Sequence, residues 1–126
     1  RRLLPGETLP GVLAHYQALL DALKARHPAL DAVMEPPMLT DEALETAADS
    51  APARLASTLL AEMGLDGKLC GVPFGSDASK LSRQGIPSIV IGPGSIDQAH
   101  AAVEFVEEAE VERAFEFYRN FILRFA

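Results

Sequence analysis

The chain has one cysteine, Cys70, no tryptophan and three histidines. A single thiol cannot form an internal disulfide, which points to a reducing compartment and a cytoplasmic location. No apolar run reaches the roughly 18 residues that a membrane-spanning helix requires, so no transmembrane segment is expected. Positive charge is scarce: 11 Lys and Arg stand against 18 Asp and Glu, a net charge of −7. That balance disfavours nucleic acid or an anionic membrane surface as a partner. A zinc site needs three or four ligands. No second His, Cys or spaced carboxylate completes a set around any of the three histidines.

What is present is an ordinary soluble composition, 48% hydrophobic over 126 residues. This length can bury a core without disulfides or a structural metal. Acidic residues gather at Asp41–Asp49 and Glu104–Glu112, read as solvated segments beside helices. The start, Arg1-Arg2-Leu3-Leu4-Pro5-Gly6, meets a Pro-Gly turn too soon for a signal peptide. Leu3-Leu4 reads as the tail of a strand, as if the chain began inside one.

Thr8 is a helix N-cap, and Val12/Leu13, Tyr16, Leu19/Leu20 and Leu23 follow at helical spacing. Pro28 stops that helix. Ala32-Val33-Met34 reads as β, and residues 35–49 read as a crossing segment. Ser50 caps a second helix with Pro52 in its first turn; its stripe is Leu55, Leu59/Leu60 and Met63, and Gly64 closes it. Lys68–Val72 reads as a buried strand that holds Cys70 as an inert core thiol. Ser76 or Asp77 starts a short helix ending near Gln84-Gly85. Pro87–Ile91 is the strongest strand pattern in the chain. A last helix starts near Glu107, its stripe running through Val111, Ala114/Phe115, Tyr118, Phe121/Ile122 and Phe125. A helix this apolar must cover a sheet or another helix. Two units result, residues 1 to about 39 and residues from about 50 onward, with an α/β fold class.

The chemistry concentrates in Gly92-Pro93-Gly94-Ser95-Ile96-Asp97-Gln98-Ala99-His100. Loops at the carboxyl ends of strands are where open α/β sheets bind ligands, and glycine lets backbone approach a ligand closely. His100 closes this loop as a candidate metal ligand, or as a hydrogen-bonded surface residue. Pro73-Phe74-Gly75-Ser76-Asp77 follows the preceding strand and is expected at the same rim, offering helix N–H groups to an anion. His15 and His27 read as structural or solvated. Glu104 reads as a second ligand, as a residue orienting the loop, or as a cap for the coming helix.

Gly71-Val72-Pro73-Phe74-Gly75-Ser76-Asp77-Ala78, Gly85-Ile86-Pro87 and the loop ending at His100 together resemble the C-terminal signature of one metallohydrolase family. It is the family of acetylornithine deacetylase, succinyl-diaminopimelate desuccinylase, aminoacylase and glutamate carboxypeptidase, and the wording is most similar to the acetylornithine deacetylase branch. Arg1–Glu7 resembles the family's Asp-x-Arg-x-x-Pro-Gly turn without its leading Asp. The resemblance implies a mixed-sheet, zinc-peptidase-like catalytic domain with a dinuclear zinc or cobalt centre, interrupted by a lid that carries the homodimer interface. It assigns residues 1–39 to the second half of the lid and 40–126 to the C-terminal segment of the catalytic domain. Position by position, it makes His100 the final metal ligand and Gly92, Pro93, Gly94 and Ser95 the substrate-facing loop. Gly75, Ser76 and Asp77 match a further rim segment, and Arg2 the arginine of the lid turn.

The family's other ligands, and the glutamate that acts as general base, precede the lid, so the resemblance implies no catalytic base in this chain. After His100 the family's polar residues are replaced by Ala101-Ala102-Val103, with the spacing to Glu104 kept. The expectation is a portion of an amidohydrolase acting on N-acyl amino acids or small peptides, inactive alone. The competing expectation is a non-catalytic remnant or interaction module.

Overall fold

Thr8, Pro10 and Pro28 delimit the first helix. A computed structural model of the chain describes residues 1–125, with α1 spanning Leu9–Arg26. The Thr8 hydroxyl accepts the Gly11 N–H at 3.3 Å. Pro10 lies in the first turn, where a missing N–H has no intrahelical partner to lose. The helix ends two residues before Pro28, as the proline requires. Helix α2 spans Ala51–Glu62, α3 Ala78–Arg83 and α4 Glu108–Phe125, with one 3₁₀ turn at Ile96–Gln98. At the end of α2 the Gly64 N–H bonds to the Ala61 carbonyl and the Leu65 N–H to the Leu60 carbonyl. This paired closure requires the left-handed backbone of Gly64, φ +71°, which glycine adopts without steric cost.

The described residues contain no strand, which corrects the α/β, mixed-sheet expectation. Residues 3–4, 32–34, 68–72 and 87–91 all lack a ladder. A strand is stabilised by bonds to a neighbouring segment, whereas an apolar run in sequence specifies only one side of that pairing. Residues 68–72 are exposed throughout, and Cys70 is an exposed free thiol rather than a core one. The 87–91 segment keeps the alternation of a strand without its ladder. Ile89 and Ile91 pack against the helical core, while Val90 faces outward. Side chains take two of its carbonyls: the Thr46 hydroxyl donates to Ser88, and the Tyr118 hydroxyl donates to Ile91 at 2.8 Å.

The chain divides into two units. The first comprises Arg1–Glu45 and Pro73–Gly85, with α1 and α3. Its polar centre is Ser79, only 2% exposed. The Ser79 hydroxyl lies 3.0 Å from both the Asp41 carboxylate and the Ser76 carbonyl, so its one proton serves one acceptor at a time. Arg83 faces Glu42 at 3.5 Å. Helix α1 buries no residue, and Tyr16, Leu19 and Leu23 on its apolar stripe are exposed.

The second unit begins with Thr46–Val72 and resumes at Ile86. Its core is the contact of α2 with α4, where Ala56, Leu59 and Phe117 are buried and Leu55, Leu60, Met63, Ile89, Ile91 and Phe121 pack around them. The alanines Ala53 and Ala56 present little bulk, which lets a Phe-rich helix lie close. Phe117 meets Phe121 at 5.7 Å between ring centroids, and Phe121 stacks on Phe125 at 5.3 Å. Arg124 joins the ends of the two helices by contacting Glu62 at 2.8 Å. That hydrogen bond holds the Glu62 carboxyl below its usual range.

The inward face of α4 differs from the expected stripe. Phe117, 3% exposed, is central, whereas Val111, Phe115, Tyr118, Ile122 and Phe125 are exposed. At 100° per residue these residues form two adjoining apolar arcs, and α2 covers only the arc of Phe117 and Phe121.

A tight approach in this unit yields a testable consequence. A Cβ at Gly67 would lie 2.5 Å from the Ser57 carbonyl oxygen, and the Ser57 hydroxyl donates to the Gly67 carbonyl at 2.7 Å. Gly67→Ala is therefore expected to destabilise the unit by roughly 1–3 kcal/mol through forced displacement of backbone. Urea unfolding measures this, and an unchanged midpoint would contradict the packing described.

Candidate functional site

The Gly92–Ser95 loop is exposed, yet its backbone is tied down. Gly94 has φ +85°, in the left-handed region that favours glycine. Its N–H donates to the Glu110 carboxylate at 2.7 Å. A Cβ there would also meet Val106 at 3.4 Å. Ser95 turns the chain into the 3₁₀ segment, its hydroxyl accepting the Asp97 N–H at 3.2 Å. The turn closes with the Ala99 N–H on the Ile96 carbonyl, and the Ala101 N–H reaches the Gln98 carbonyl.

His100 sits at the end of this turn with φ +63°, alone in the positive-φ region among the described non-glycine residues. Histidine tolerates that region better than most residues, but such a backbone costs on the order of 1 kcal/mol and persists where surroundings enforce it. Glu104 enforces it: its carboxylate accepts the His100 N–H. The same carboxylate oxygen lies 3.9 Å from Nδ1, an ion-pair distance too long for a hydrogen bond. The imidazole itself is 99% exposed. Of the three readings of Glu104, this geometry is that of a residue orienting the loop.

Glu104 holds the His100 backbone, and the exposed ring presents its nitrogens to solvent. The donor set thus fits one ligand of a metal, not a complete site. Among the described residues no group of three or more His, Cys, Asp or Glu converges. Ala101, Ala102 and Val103 are exposed and offer no side-chain donor beside the histidine.

Gly75, Ser76 and Asp77 belong to the other unit. A Cβ at Gly75 would meet nothing within 4 Å. The Ser76 hydroxyl accepts the Ala78 N–H at 3.2 Å. The N–H groups of Ser79 and Lys80 go to the carbonyls of Ser76 and Asp77. The start of α3 therefore spends its donors on its own turn, whereas the sequence reading had them free for an anion. Asp77 pairs with Lys80 at 2.6 Å; that hydrogen bond lowers the carboxyl pKa and raises the ammonium pKa. Arg2 is exposed, and it is Arg1 whose guanidinium donates to Glu7.

Sequence reading missed Glu110 and Tyr118 as residues of the loop. A carboxylate in a first helical turn reads as a partner of the helix dipole, and a tyrosine at helical spacing reads as core. Neither pattern announces a bond to a loop 16 or more residues earlier.

No match was found among the curated proteins or the solved structures. One family model does match, over residues 14–124, and its description is Peptidase family M20/M25/M40.

Proposed function

The chain belongs to peptidase family M20/M25/M40, and from that membership we propose that it is the C-terminal part of a metal-dependent amidohydrolase of the acetylornithine deacetylase branch. The substrate is an N-acyl amino acid or a small peptide, and the reaction is hydrolysis of its amide bond. Residues 1–39 form the second half of a lid that carries a homodimer interface, and 40–126 form the end of the catalytic domain. Nucleic acid and membrane are not partners. The exposed lone thiol of Cys70 suits a cytoplasmic setting.

The observation that carries this reading is His100, exposed and held in a left-handed backbone by Glu104 at the end of a glycine loop inside the matched region. In this reading His100 supplies one imidazole to a dinuclear zinc or cobalt centre. Such a centre, when bound, acidifies a water and polarises the scissile carbonyl. Glu104 holds the His100 backbone at the end of the loop. The Gly92–Ser95 loop receives the substrate, with Pro93 restricting its backbone and Ser95 holding the turn toward His100. Gly75, Ser76, Asp77 and Arg2, which lie in the other unit, keep their substrate-side assignment from the family resemblance alone. The resemblance implies that the general base would be a glutamate outside this chain. The outer arc of α4, where Val111, Phe115, Tyr118, Ile122 and Phe125 are exposed together, supports the reading as well, because neighbouring exposed apolar side chains suit burial under further structure.

The test is hydrolysis of N-acetylornithine, compared with other N-acyl amino acids, by the full-length protein. Release of acetate is expected, lost on chelation and restored by zinc or cobalt, with the 126-residue chain inactive by itself. A metal-loaded full-length protein that cleaves no N-acyl amino acid or peptide would remove the enzymatic reading in favour of an interaction module.

A further inference from the structure

We infer that α4 is the element that sets the shape of the substrate loop, with Glu110 and Tyr118 as its positioning residues. This rests on the reading above that Gly92–Ser95 faces the substrate. The Tyr118 hydroxyl donates to the Ile91 carbonyl at 2.8 Å, at the point where the loop begins. The Gly94 N–H donates to the Glu110 carboxylate at 2.7 Å, two residues past Gly92. A Cβ at Gly92 would lie 3.6 Å from the Tyr118 hydroxyl oxygen, so the start of the loop lies against the helix.

Glu110 and Tyr118 are about 12 Å apart along the helix axis. Two grips at that separation define the tilt of the loop as well as its position. α4 in turn is anchored through buried Phe117, next in sequence to Tyr118. The loop therefore inherits the rigidity of the helical core, although Gly92, Pro93, Gly94 and Ser95 are all exposed.

The same geometry restricts what the loop can offer. The Gly94 N–H is already bonded to a carboxylate, a charge-assisted bond stronger than one to a neutral acceptor. It is not free for an oxyanion or a substrate carboxylate. Recognition falls to the shape of Gly92-Pro93 and to the backbone around Ser95. Glu110 acts through Gly94 and has no role in the chemical step.

The experiment pairs amide exchange with kinetics in the full-length protein. Glu110→Ala should accelerate exchange of the Gly94 amide and raise KM about tenfold with kcat changed less than about threefold, the size of effect expected from one lost charge-assisted hydrogen bond. Glu110→Gln keeps an acceptor but loses its charge, and should bring both values back to within about threefold of wild type. Tyr118→Phe should raise KM by about threefold, matching loss of a neutral hydrogen bond. Unchanged Gly94 exchange in Glu110→Ala overturns the inference. So does faster exchange with unchanged KM, which would leave Glu110 a structural residue only. A wild-type protein without amidohydrolase activity is a different result: it defeats the functional reading and the substrate role inferred here, while exchange alone still decides whether Glu110 holds the loop.

Discussion

If the proposed function holds, replacing His100 with alanine in the full-length protein should lower kcat/KM by about a thousandfold or more. Removing a residue that only orients a metal ligand typically costs about 10–100-fold, and removal of the ligand itself must exceed that. The two classes are present side by side in this loop. Glu104→Ala, which releases the His100 backbone, is expected to cost about tenfold, the effect of one lost charge-assisted hydrogen bond. The two losses should therefore differ by at least an order of magnitude. Alanine at φ +63° brings backbone strain of its own, so His100→Asn is the sharper control: asparagine tolerates the left-handed region but offers no imidazole. Equal, severe losses in the Ala and Asn variants point to the missing ligand. Full activity in His100→Asn would contradict the assignment.

The second large effect is on folding. Phe117→Ala should destabilise the second unit by about 3–5 kcal/mol, the range for removing a buried aromatic ring. Stabilities of natural domains run only about 5–15 kcal/mol, so the variant is expected to be largely unfolded under mild denaturant. Phe117 is 3% exposed between Ala56 and Leu59, whereas Phe115, two residues earlier on the same helix, is 69% exposed. Phe115→Ala should cost no more than about 0.5 kcal/mol in the 126-residue chain. Urea titration of the pair measures the contrast. If Phe115→Ala proves the costlier substitution, α4 packs on α2 by its other arc and the core described here is wrong. In the full-length hydrolase the proposal makes a further demand: Phe115→Ala should cost more than in the isolated chain, because the outer arc of α4 is then covered.

The helices were legible because their signals are local. Thr8, Pro28, Ser50, Pro52 and Gly64 each mark a boundary through their own backbone or their own side chain. The observed ends of α1 and α2 fall where those residues direct. Ser50 is a partial exception: it occupies the cap position of α2, yet its hydroxyl makes no capping bond. Strands were not legible in the same sense. The 87–91 run was read as a strand, but pairing is a property of two segments, and one run of apolar residues cannot reveal whether a second lies beside it; Ile89 and Ile91 pack on the helical core instead. Cys70 was misread for the same reason, since its burial depended on a ladder that the described residues do not form. On α4 the period was right and the phase was not. With apolar residues on two adjoining arcs, spacing alone does not say which arc meets α2, and Phe117 was left out of the stripe.

The candidate site divides along similar lines. The glycine loop and His100 stand out in sequence because glycine, proline and histidine carry their conformational and chemical properties with them. The contacts that hold the loop are less visible: Glu104 stood out but carried three readings until its bond to the His100 backbone was placed, and Glu110 and Tyr118 look like ordinary helix-flanking or core residues until Gly94 and Ile91 are placed beside them.

The central claim is that His100 binds metal as one ligand of a dinuclear hydrolytic centre, and metal content tests it most directly. Zinc per subunit is measured by elemental mass spectrometry on the full-length wild-type protein and on His100→Asn, each loaded with zinc and then desalted. The account predicts about two zinc ions in the wild type and the loss of about one in the variant, with activity lost in parallel. Equal zinc content in both proteins would contradict it, and His100 would then be a surface residue of a site built without it.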